Sequence, residues 1–213
     1  MSEDVDRITM YSDYVCPFCY LGRQSLDEYR SARGEPLAID WRPFDLRSNK
    51  RGPDGKIDHS VDDGKDEAYY ERARENVERL QEEYDVEMRN LDEVPEVDSL
   101  NAQLASTAVQ SDYPEQWEAF DEAIFTALWL DGRDIGDPEV LADLAREVGL
   151  DPTEIRAAIE DDAHRERVTS QFSAAQQRGV TGVPTFVYDG HAARGAVPPE
   201  HLRRLVEPDA APQ

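Results

Sequence analysis

Three hydrophobic patterns follow one another at the start of the chain. Residues 6–14 and residues 36–44 alternate apolar and polar side chains, which predicts two β-strands. Between them, residues 16–33 carry apolar side chains at helical spacing, and Pro17 suits the first position of a helix. A strand, a helix and a second strand in this order predict a β-α-β unit with parallel strands.

The pattern changes after this unit. Residues 45–65 are polar, rich in Gly and Asp, and hold all the lysines of the chain, which predicts a long surface loop. From residue 66 helical spacing continues as far as residue 179, and Asp-Pro pairs at 137–138 and 151–152 are typical helix starts. This stretch predicts a block of successive helices.

Strand patterns return only near the end of the chain. Two short runs on either side of Asp189-Gly190 predict an antiparallel hairpin, and residues 198–206 predict a last helix. Without the helical block, the element order is that of thioredoxin, so we expect an α/β protein with a thioredoxin-like fold and a large all-helical insertion domain. The expected domains are residues 1–60 plus 165–213 for the thioredoxin-like domain and residues 61–164 for the insertion.

The charge balance narrows the range of partners. Asp and Glu number 47 against 23 Lys and Arg, which gives a net charge of -24 at pH 7 and a pI near 4.4. Nucleic acids and anionic membranes bind basic patches, so we expect neither as a partner. Because the acidic residues are spread along the chain, we expect a surface adapted to high salt, where screening weakens self-repulsion.

The N-terminal residues and the most apolar run indicate the compartment. Residues 1–15 have no apolar core of the kind found in signal peptides, and the run at 123–130 is too short to cross a bilayer. We therefore expect a soluble, cytoplasmic protein. Structural disulfides are rare in the cytoplasm, whereas catalytic cysteine pairs occur there.

The only cysteines of the chain lie two residues apart, in Cys16-Pro17-Phe18-Cys19. We expect Cys16 at the helix N-cap, where free backbone N–H groups and the helix dipole stabilise a thiolate. Cys19 follows one turn later on the same side and can reach the Cys16 sulfur, so it would be the less exposed, resolving thiol. No charged residue lies between them, which predicts a redox potential below that of the strongest oxidants.

Two other interpretations of the cysteine pair stay open. A zinc site would need histidine ligands, but no two histidines have the usual short spacing of such sites, and a buried pair without chemistry is also possible. Nothing resembles a glycine-rich phosphate loop, so we expect neither a metal nor another cofactor. The four histidines, none of which we assign a role, are His59, His164, His191 and His201.

The second chemical signal is Val183-Pro184, at the start of the predicted hairpin. In a thioredoxin-like core a cis-proline at this strand start lies against the cysteine pair, so we expect a cis bond here. The backbone of Val183 would then face an extended peptide and pair with it as an added strand.

Side chains around the cysteines are candidates for contact with a substrate. Tyr14, Pro17 and Phe18 flank or separate the two cysteines, and we expect them to contribute to substrate binding. The apolar residues of the insertion could line a groove, but at helical spacing they are more typical of a core. These residues are Trp117, Phe120, Phe125, Leu128 and Trp129.

Several segments resemble one family. Cys-Pro-Phe-Cys-Tyr-Leu-Gly at 16–22, the long helical insertion and Gly-Val-Pro-Thr-Phe at 182–186 are similar to the DsbA-like thioredoxin superfamily, specifically its FrnE branch. The likeness extends over nearly the whole chain, and residues 127–151 form its most specific segment.

The resemblance implies a thiol:disulfide oxidoreductase or disulfide isomerase. Cys16 would be the nucleophile, Cys19 the resolving thiol and Pro184 the cis-proline, acting on a protein or small-molecule thiol or disulfide. Members of the family are monomers or dimers, so we expect a monomer or homodimer. Phe18 stands where the branch commonly has Trp, and Val197 stands where it commonly has Gln.

Two further function classes stay open. Kappa-class glutathione transferases and 2-hydroxychromene-2-carboxylate isomerases belong to the same superfamily, and these typically have serine where this chain has Cys16. Both thiols are intact here, which favours redox chemistry over a thiol-dependent transferase or isomerase. A binding or chaperone-like protein without turnover is the third class.

Overall fold

A four-stranded sheet lies at the centre of the residues described by the computed structural model, which are 5–52, 55–58, 60–62 and 64–208. The strand order is β2-β1-β3-β4, with β2 parallel to β1 and with β3 antiparallel to both β1 and β4. This confirms the predicted β-α-β unit and the C-terminal hairpin. The strands are β1 (Asp6–Ser12), β2 (Leu37–Pro43), β3 (Thr185–Tyr188) and β4 (His191–Arg194).

The predicted helical block is present between β2 and β3. The predicted Asp-Pro starts are confirmed, since Asp137 and Asp151 each cap a helix by accepting a backbone N–H two residues on. Such caps stabilise a helix by about 1 kcal/mol. Among the described helices, none combines the length and the apolar composition needed to cross a bilayer. The helices are α1 (Pro17–Ala32), α2 (Glu67–Tyr84), α3 (Leu100–Asp112), α4 (Pro114–Trp129), α5 (Pro138–Glu147), α6 (Pro152–Glu160), α7 (Asp162–Gln177) and α8 (Pro199–Val206).

The predicted surface loop after β2 is held at one end by an arginine. Arg51 donates to Asp45 at 2.8 Å and forms a two-bond pair with Asp98, which precedes α3, at 2.8 and 3.0 Å. A short 3₁₀ turn occupies Ser48–Lys50. The first part of this loop is therefore attached to the helical block. His59, considered above as a metal ligand, lies outside the described residues.

One hydrophobic core joins the sheet to the inserted helices. Met10 of β1 pairs with Trp41 of β2 on one side and with Phe186 of β3 on the other, and all three side chains are fully buried. The apolar residues of α4 belong to the same core, so they do not line an open groove. The predicted division between residues 1–60 plus 165–213 and residues 61–164 stays a prediction, and the two parts share this core. The buried residues of α4 include Trp117, Phe120, Phe125, Leu128 and Trp129.

A buried polar network connects α1 to α4 within this core. Arg23 Nε donates to Asp121 Oδ2 at 3.0 Å, and the Tyr14 hydroxyl donates to Asp121 Oδ1 at 2.8 Å. Asp121 is fully buried, and burial raises the pKa of its carboxyl while the Arg23 charge lowers it. Burying this ion pair costs free energy, and without Asp121 the buried Arg23 would keep only the partly exposed carboxylates of Asp27 and Glu118.

Substitution of Asp121 tests this network. We expect Asp121→Ala to reduce the free energy of unfolding by about 3 to 5 kcal/mol, because Arg23 would lose its fully buried partner and keep only the partly exposed carboxylates of Asp27 and Glu118. The matched control is Asp27→Ala, which removes another carboxylate paired with Arg23 but one whose side chain is 40% exposed. Exposed pairs contribute about 0 to 1 kcal/mol. Urea unfolding followed by circular dichroism measures both variants. Equal losses of unfolding free energy would contradict the larger contribution that we assign to the buried Asp121.

Candidate active site

Cys16 lies at the N-cap of α1, as predicted. Its backbone is extended, with φ -93° and ψ 114°, and Pro17 occupies the first helical position. The Cys16 backbone N–H donates to the Asp13 carbonyl at 3.0 Å, while its side chain makes no capping hydrogen bond. The turn therefore fixes the backbone of Cys16 and leaves its thiol for other contacts.

The two cysteines are free thiols in one helical turn. The Cys19 backbone N–H donates to the Cys16 carbonyl at 3.0 Å, which closes the turn between them. Cys16 is 4% exposed and Cys19 is fully buried, so Cys16 is the more exposed of the two, as predicted. The more exposed thiol is itself largely covered, which leaves a narrow approach to its sulfur.

Val183 and Pro184 face the cysteines from the other side. The bond between them is cis, as predicted, and the Cys16 thiol donates to the Val183 carbonyl oxygen at a distance of 3.5 Å. Pro184 is buried and Val183 is half-buried. Gly22 of α1 explains the close packing, since a Cβ there would lie 3.0 Å from Pro184 Cγ and 3.2 Å from Phe186 Cζ.

Of the three flanking side chains, two reach the surface and one does not. Pro17 and Phe18 are half-buried, and Phe18 packs against the cluster formed by Leu21, Val77 and Leu80. Tyr14 is fully buried, and its ring packs on Trp41 and Phe125 with centroids 5.5 and 4.7 Å away. The expectation that Tyr14 binds substrate is therefore wrong, because its hydroxyl belongs to the network around Asp121 in the core.

The surroundings of Cys19 oppose its ionisation. Burial raises the pKa of the Cys19 thiol well above its ordinary value, and the neighbouring Cys16 raises this pKa further. The backbone N–H of Asp13 and the hydroxyl of Ser12 act in the opposite direction and lower the pKa of Cys19. Cys19 is thus a thiol in its resting state.

Asp13 is a buried residue that the sequence analysis missed. Its carboxylate accepts from Ser99 Oγ at 2.6 Å, Gln103 Nε2 at 3.2 Å, and the backbone N–H groups of Leu46 and Val15 at 2.9 and 3.3 Å. Burial raises the pKa of Asp13 to about 6, against the lowering effect of these hydrogen bonds. Asp13 therefore ties the loop that carries Cys16 to α3 and to the segment after β2. Its place three residues before Cys16, at the end of the predicted strand, was the only sequence signal.

His164 and His191 have partners away from the cysteine pair. His164 contacts the Leu104 carbonyl at 2.9 Å, and His191 contacts the Asp189 carbonyl at 3.0 Å in the exposed hairpin. Within the described ranges, no three His, Cys, Asp or Glu side chains are grouped as a metal site.

Comparison with known proteins found one matching family and several similar proteins. The DSBA-like thioredoxin domain family matches residues 7–207. The uncharacterized protein YwbO of Bacillus subtilis is 28% identical over 193 residues, covering 89% of this chain and 90% of that protein. A 2-hydroxychromene-2-carboxylate isomerase of Sphingobium xenophagum is 26% identical over 191 residues, covering 85% and 88%. The crystal structure of a probable DsbA oxidoreductase from Streptomyces coelicolor has the same fold, with a TM-score of 0.77, 23% identity and coverage of 97% and 92%.

The pKa of Asp13 has a measurable consequence for stability. Because the folded-state pKa of about 6 exceeds the ordinary value of 3.8, the folded protein holds this proton over a wider pH range than the unfolded chain does. The contribution of Asp13 to stability therefore falls as pH rises from about 4 to about 6, by about 2 to 3 kcal/mol.

The Asp13→Asn variant cannot titrate at this position and serves as the reference. We expect the free energy of unfolding of the original protein, minus that of Asp13→Asn, to decrease over this pH window. Urea titrations at a series of pH values measure the difference, and other titrating groups cancel between the two proteins. A difference that stays constant or increases with pH would contradict the burial argument.

Proposed function

Because the chain belongs to the DSBA-like thioredoxin domain family, we propose that it is a thiol:disulfide oxidoreductase or disulfide isomerase. Cys16 and Cys19 form its redox pair, and Pro184 is the cis-proline beside them. The observation that carries this proposal is the placement of two free thiols in one turn, with the outer sulfur 3.5 Å from the Val183 carbonyl oxygen.

The reaction is an exchange through a mixed disulfide. The Cys16 thiolate attacks one sulfur of a substrate disulfide, forms a Cys16–substrate disulfide and releases the other sulfur as a thiolate. The Cys19 thiolate then attacks the Cys16 sulfur and releases the second substrate thiolate. Two electrons pass to the substrate, and the enzyme pair becomes a disulfide. The same steps in reverse oxidise a dithiol.

Position in the fold supports this division of roles. Cys16 is at the helix N-cap, where the positive end of the helix dipole favours an anion, and it is the sulfur nearer to solvent. Cys19 is fully buried behind it, so a substrate meets Cys16 first. These positions therefore favour Cys16 as the first sulfur to attack and Cys19 as the second.

Three residues around the sulfur form the proposed binding surface. The backbone of Val183 pairs with an extended substrate segment, and the half-buried side chains of Pro17 and Phe18 lie along its path. All three are uncharged, which suits an apolar stretch of polypeptide beside the reacting disulfide.

Several attributes stay predictions from the sequence alone. These are the FrnE branch, a cytoplasmic location, a monomeric or homodimeric state and adaptation to high salt, which the net charge of -24 supports.

A second candidate function is a thiol-dependent isomerase or transferase. It is supported by the 26% identity to a 2-hydroxychromene-2-carboxylate isomerase. In such an enzyme, Cys19 would have no role, because a single nucleophilic position is sufficient. The buried second thiol therefore favours the oxidoreductase.

A redox titration in molar salt tests the proposed pair. Protein equilibrated in thiol/disulfide buffers is alkylated and analysed by mass spectrometry. We expect a single two-electron transition, from protein with both cysteines alkylated to protein with neither alkylated. A midpoint near about -270 mV indicates a reductase, and one above about -180 mV an oxidant or isomerase. Thiols that stay reduced at every potential would overturn the proposal.

Single substitutions of the cysteines assign their roles. We expect Cys16→Ser to abolish the reduction of a protein disulfide, because no accessible sulfur remains. Cys19→Ser retains the first attack but cannot resolve it, so it accumulates a mixed disulfide that is visible as added mass. Isomerisation of 2-hydroxychromene-2-carboxylate that persists in Cys19→Ser would instead support the second candidate.

A further inference from the structure

Two neighbouring tyrosines are exposed at the start of α2. Tyr69 and Tyr70 are 43% and 45% exposed, although most large apolar side chains of the described residues are buried. Their rings meet edge to face with centroids 5.5 Å apart, and Lys65 Nζ lies 5.5 Å from the centroid of the Tyr69 ring. We call these two residues the tyrosine pair. Contacts between the rings hold them in place before any partner binds, which lowers the cost of binding.

The tyrosine pair continues an apolar stripe of α2. Residues seven positions apart lie on nearly the same line along a helix, so Tyr70, Val77 and Tyr84 share one side of α2. Val77 is 2% exposed, in a cluster with Leu21 and Leu80, and Tyr84 is half-buried. The stripe is therefore covered along the rest of α2 and uncovered in its first turn.

Contacts with α1 show in which direction α2 runs. At the C-terminal end of α2, the Tyr84 hydroxyl donates to the Ala196 carbonyl at 2.7 Å. The next carbonyl, that of Val197, accepts from Ser25 Oγ in the middle of α1 at 2.6 Å. One turn closer to the start of α1, Leu21 packs in the cluster with the buried residues of α2. The two helices are therefore antiparallel, and the start of α2 points past the start of α1.

The lengths of the two helices place the tyrosine pair beside Cys16. With a rise of about 1.5 Å per residue, Tyr70 lies about 10 Å beyond Val77, and Cys16 lies about 7 Å beyond Leu21. Val77 and Leu21 belong to one cluster, and packed helices lie about 8 to 10 Å apart. The tyrosine pair is thus about 10 Å to the side of the approach to Cys16. Phe18, which packs on the same cluster, connects the two places.

An extended polypeptide has the dimensions that this arrangement requires. Such a chain advances about 3.3 Å per residue, so a side chain about three positions from the reacting cysteine reaches the tyrosine pair. Tyrosine rings bind apolar side chains while their hydroxyl groups stay in water. The tyrosine pair also continues the uncharged surface of Pro17, Phe18 and Val183, where the proposed substrate segment lies. A small disulfide at Cys16 is too short to make this contact.

We propose that the tyrosine pair binds an apolar side chain of an unfolded polypeptide substrate, about three residues from the cysteine that reacts with Cys16. The contact distinguishes polypeptide substrates from small disulfides. It strengthens binding and leaves the exchange between sulfurs as described above. The inference rests on the proposed function, because it places the reacting disulfide at Cys16.

Two synthetic peptides test this contact. Each has one cysteine joined in a mixed disulfide to nitrothiobenzoate, and one peptide has leucine three positions before and after this cysteine where the other has serine. The Cys16 thiolate of the reduced protein attacks the peptide sulfur, forms a disulfide with it and releases coloured nitrothiobenzoate, the better leaving group. Stopped flow in molar salt measures the rate. Dithiobis(nitrobenzoate), which has no polypeptide part, measures the reactivity of Cys16 alone.

We expect the original protein to react about tenfold faster with the leucine peptide than with the serine peptide. This ratio should fall to about one in Tyr69→Ala/Tyr70→Ala, because alanine preserves the helix and removes both rings. Tyr69→Phe/Tyr70→Phe keeps the rings and should keep the ratio. The matched control is Val5→Ala, which removes a side chain that is 44% exposed at the other end of β1 from Cys16, and we expect it to keep the ratio as well.

Each contrary result has a distinct meaning. A ratio that is unchanged in the alanine variant, or equal rates of the two peptides with the original protein, would overturn the inference and leave the proposed function standing. Slower reaction of the alanine variant with dithiobis(nitrobenzoate) would also contradict it, because the tyrosines would then support the cysteine site itself. Light scattering that shows a dimer dissociating in the alanine variant would assign the tyrosine pair to a contact between two copies of the chain instead. No release of nitrothiobenzoate from any of the three disulfides would refute the proposed function, and the inference with it.

Discussion

The position of the cysteine pair depends on one buried carboxylate. Asp13 accepts hydrogen bonds from Ser99 and Gln103 of the α3 region and from the backbone at Leu46, and its own carbonyl holds the Cys16 backbone. Burial makes this carboxylate unfavourable, as its raised pKa shows. Burying Asp13 costs free energy, and its hydrogen bonds fix the N-cap of α1. Because Ser99 and Gln103 donate two of these hydrogen bonds, the inserted helices form part of the site although they supply no sulfur.

Buried polar atoms without a hydrogen-bond partner are found around Asp13 and the cysteine pair. Within the described ranges, the buried side-chain atoms without a partner are Ser12 Oγ, Trp41 Nε1 and Gln103 Oε1. Gln103 bonds to Asp13, Trp41 packs on Tyr14, and the Ser12 side chain lowers the pKa of Cys19. Folded proteins depart from full satisfaction mainly where function requires it. The clustering therefore distinguishes this end of the sheet from the rest of the core.

Local patterns were sufficient to predict most of the elements and the place of Cys16 in them. Alternation predicted β1 and β2, the Asp-Pro pairs predicted the starts of α5 and α6, and Pro17 predicted Cys16 at the N-cap. Such local patterns could not predict contacts between residues that are far apart in the sequence. Tyr14 looked like a surface aromatic next to Cys16, but its hydroxyl meets Asp121, which is 107 positions away. Asp13 likewise looked like an ordinary residue of the predicted strand, because its hydrogen bonds come from Ser99 and Gln103, which are far away in the sequence.

The environment of Cys19 also bears on which chemistry the site suits. An enzyme that uses one nucleophilic position needs no second anion, and the lowest-energy choice behind Cys16 would be an apolar side chain without donors beside it. Here the buried position holds a second thiol, and the Ser12 hydroxyl and the Asp13 backbone N–H lower its pKa against the larger raising effect of burial. These donors have value only if the buried sulfur carries charge at some stage of the reaction. A disulfide-forming pair passes through such a stage, and an isomerase acting through Cys16 alone does not.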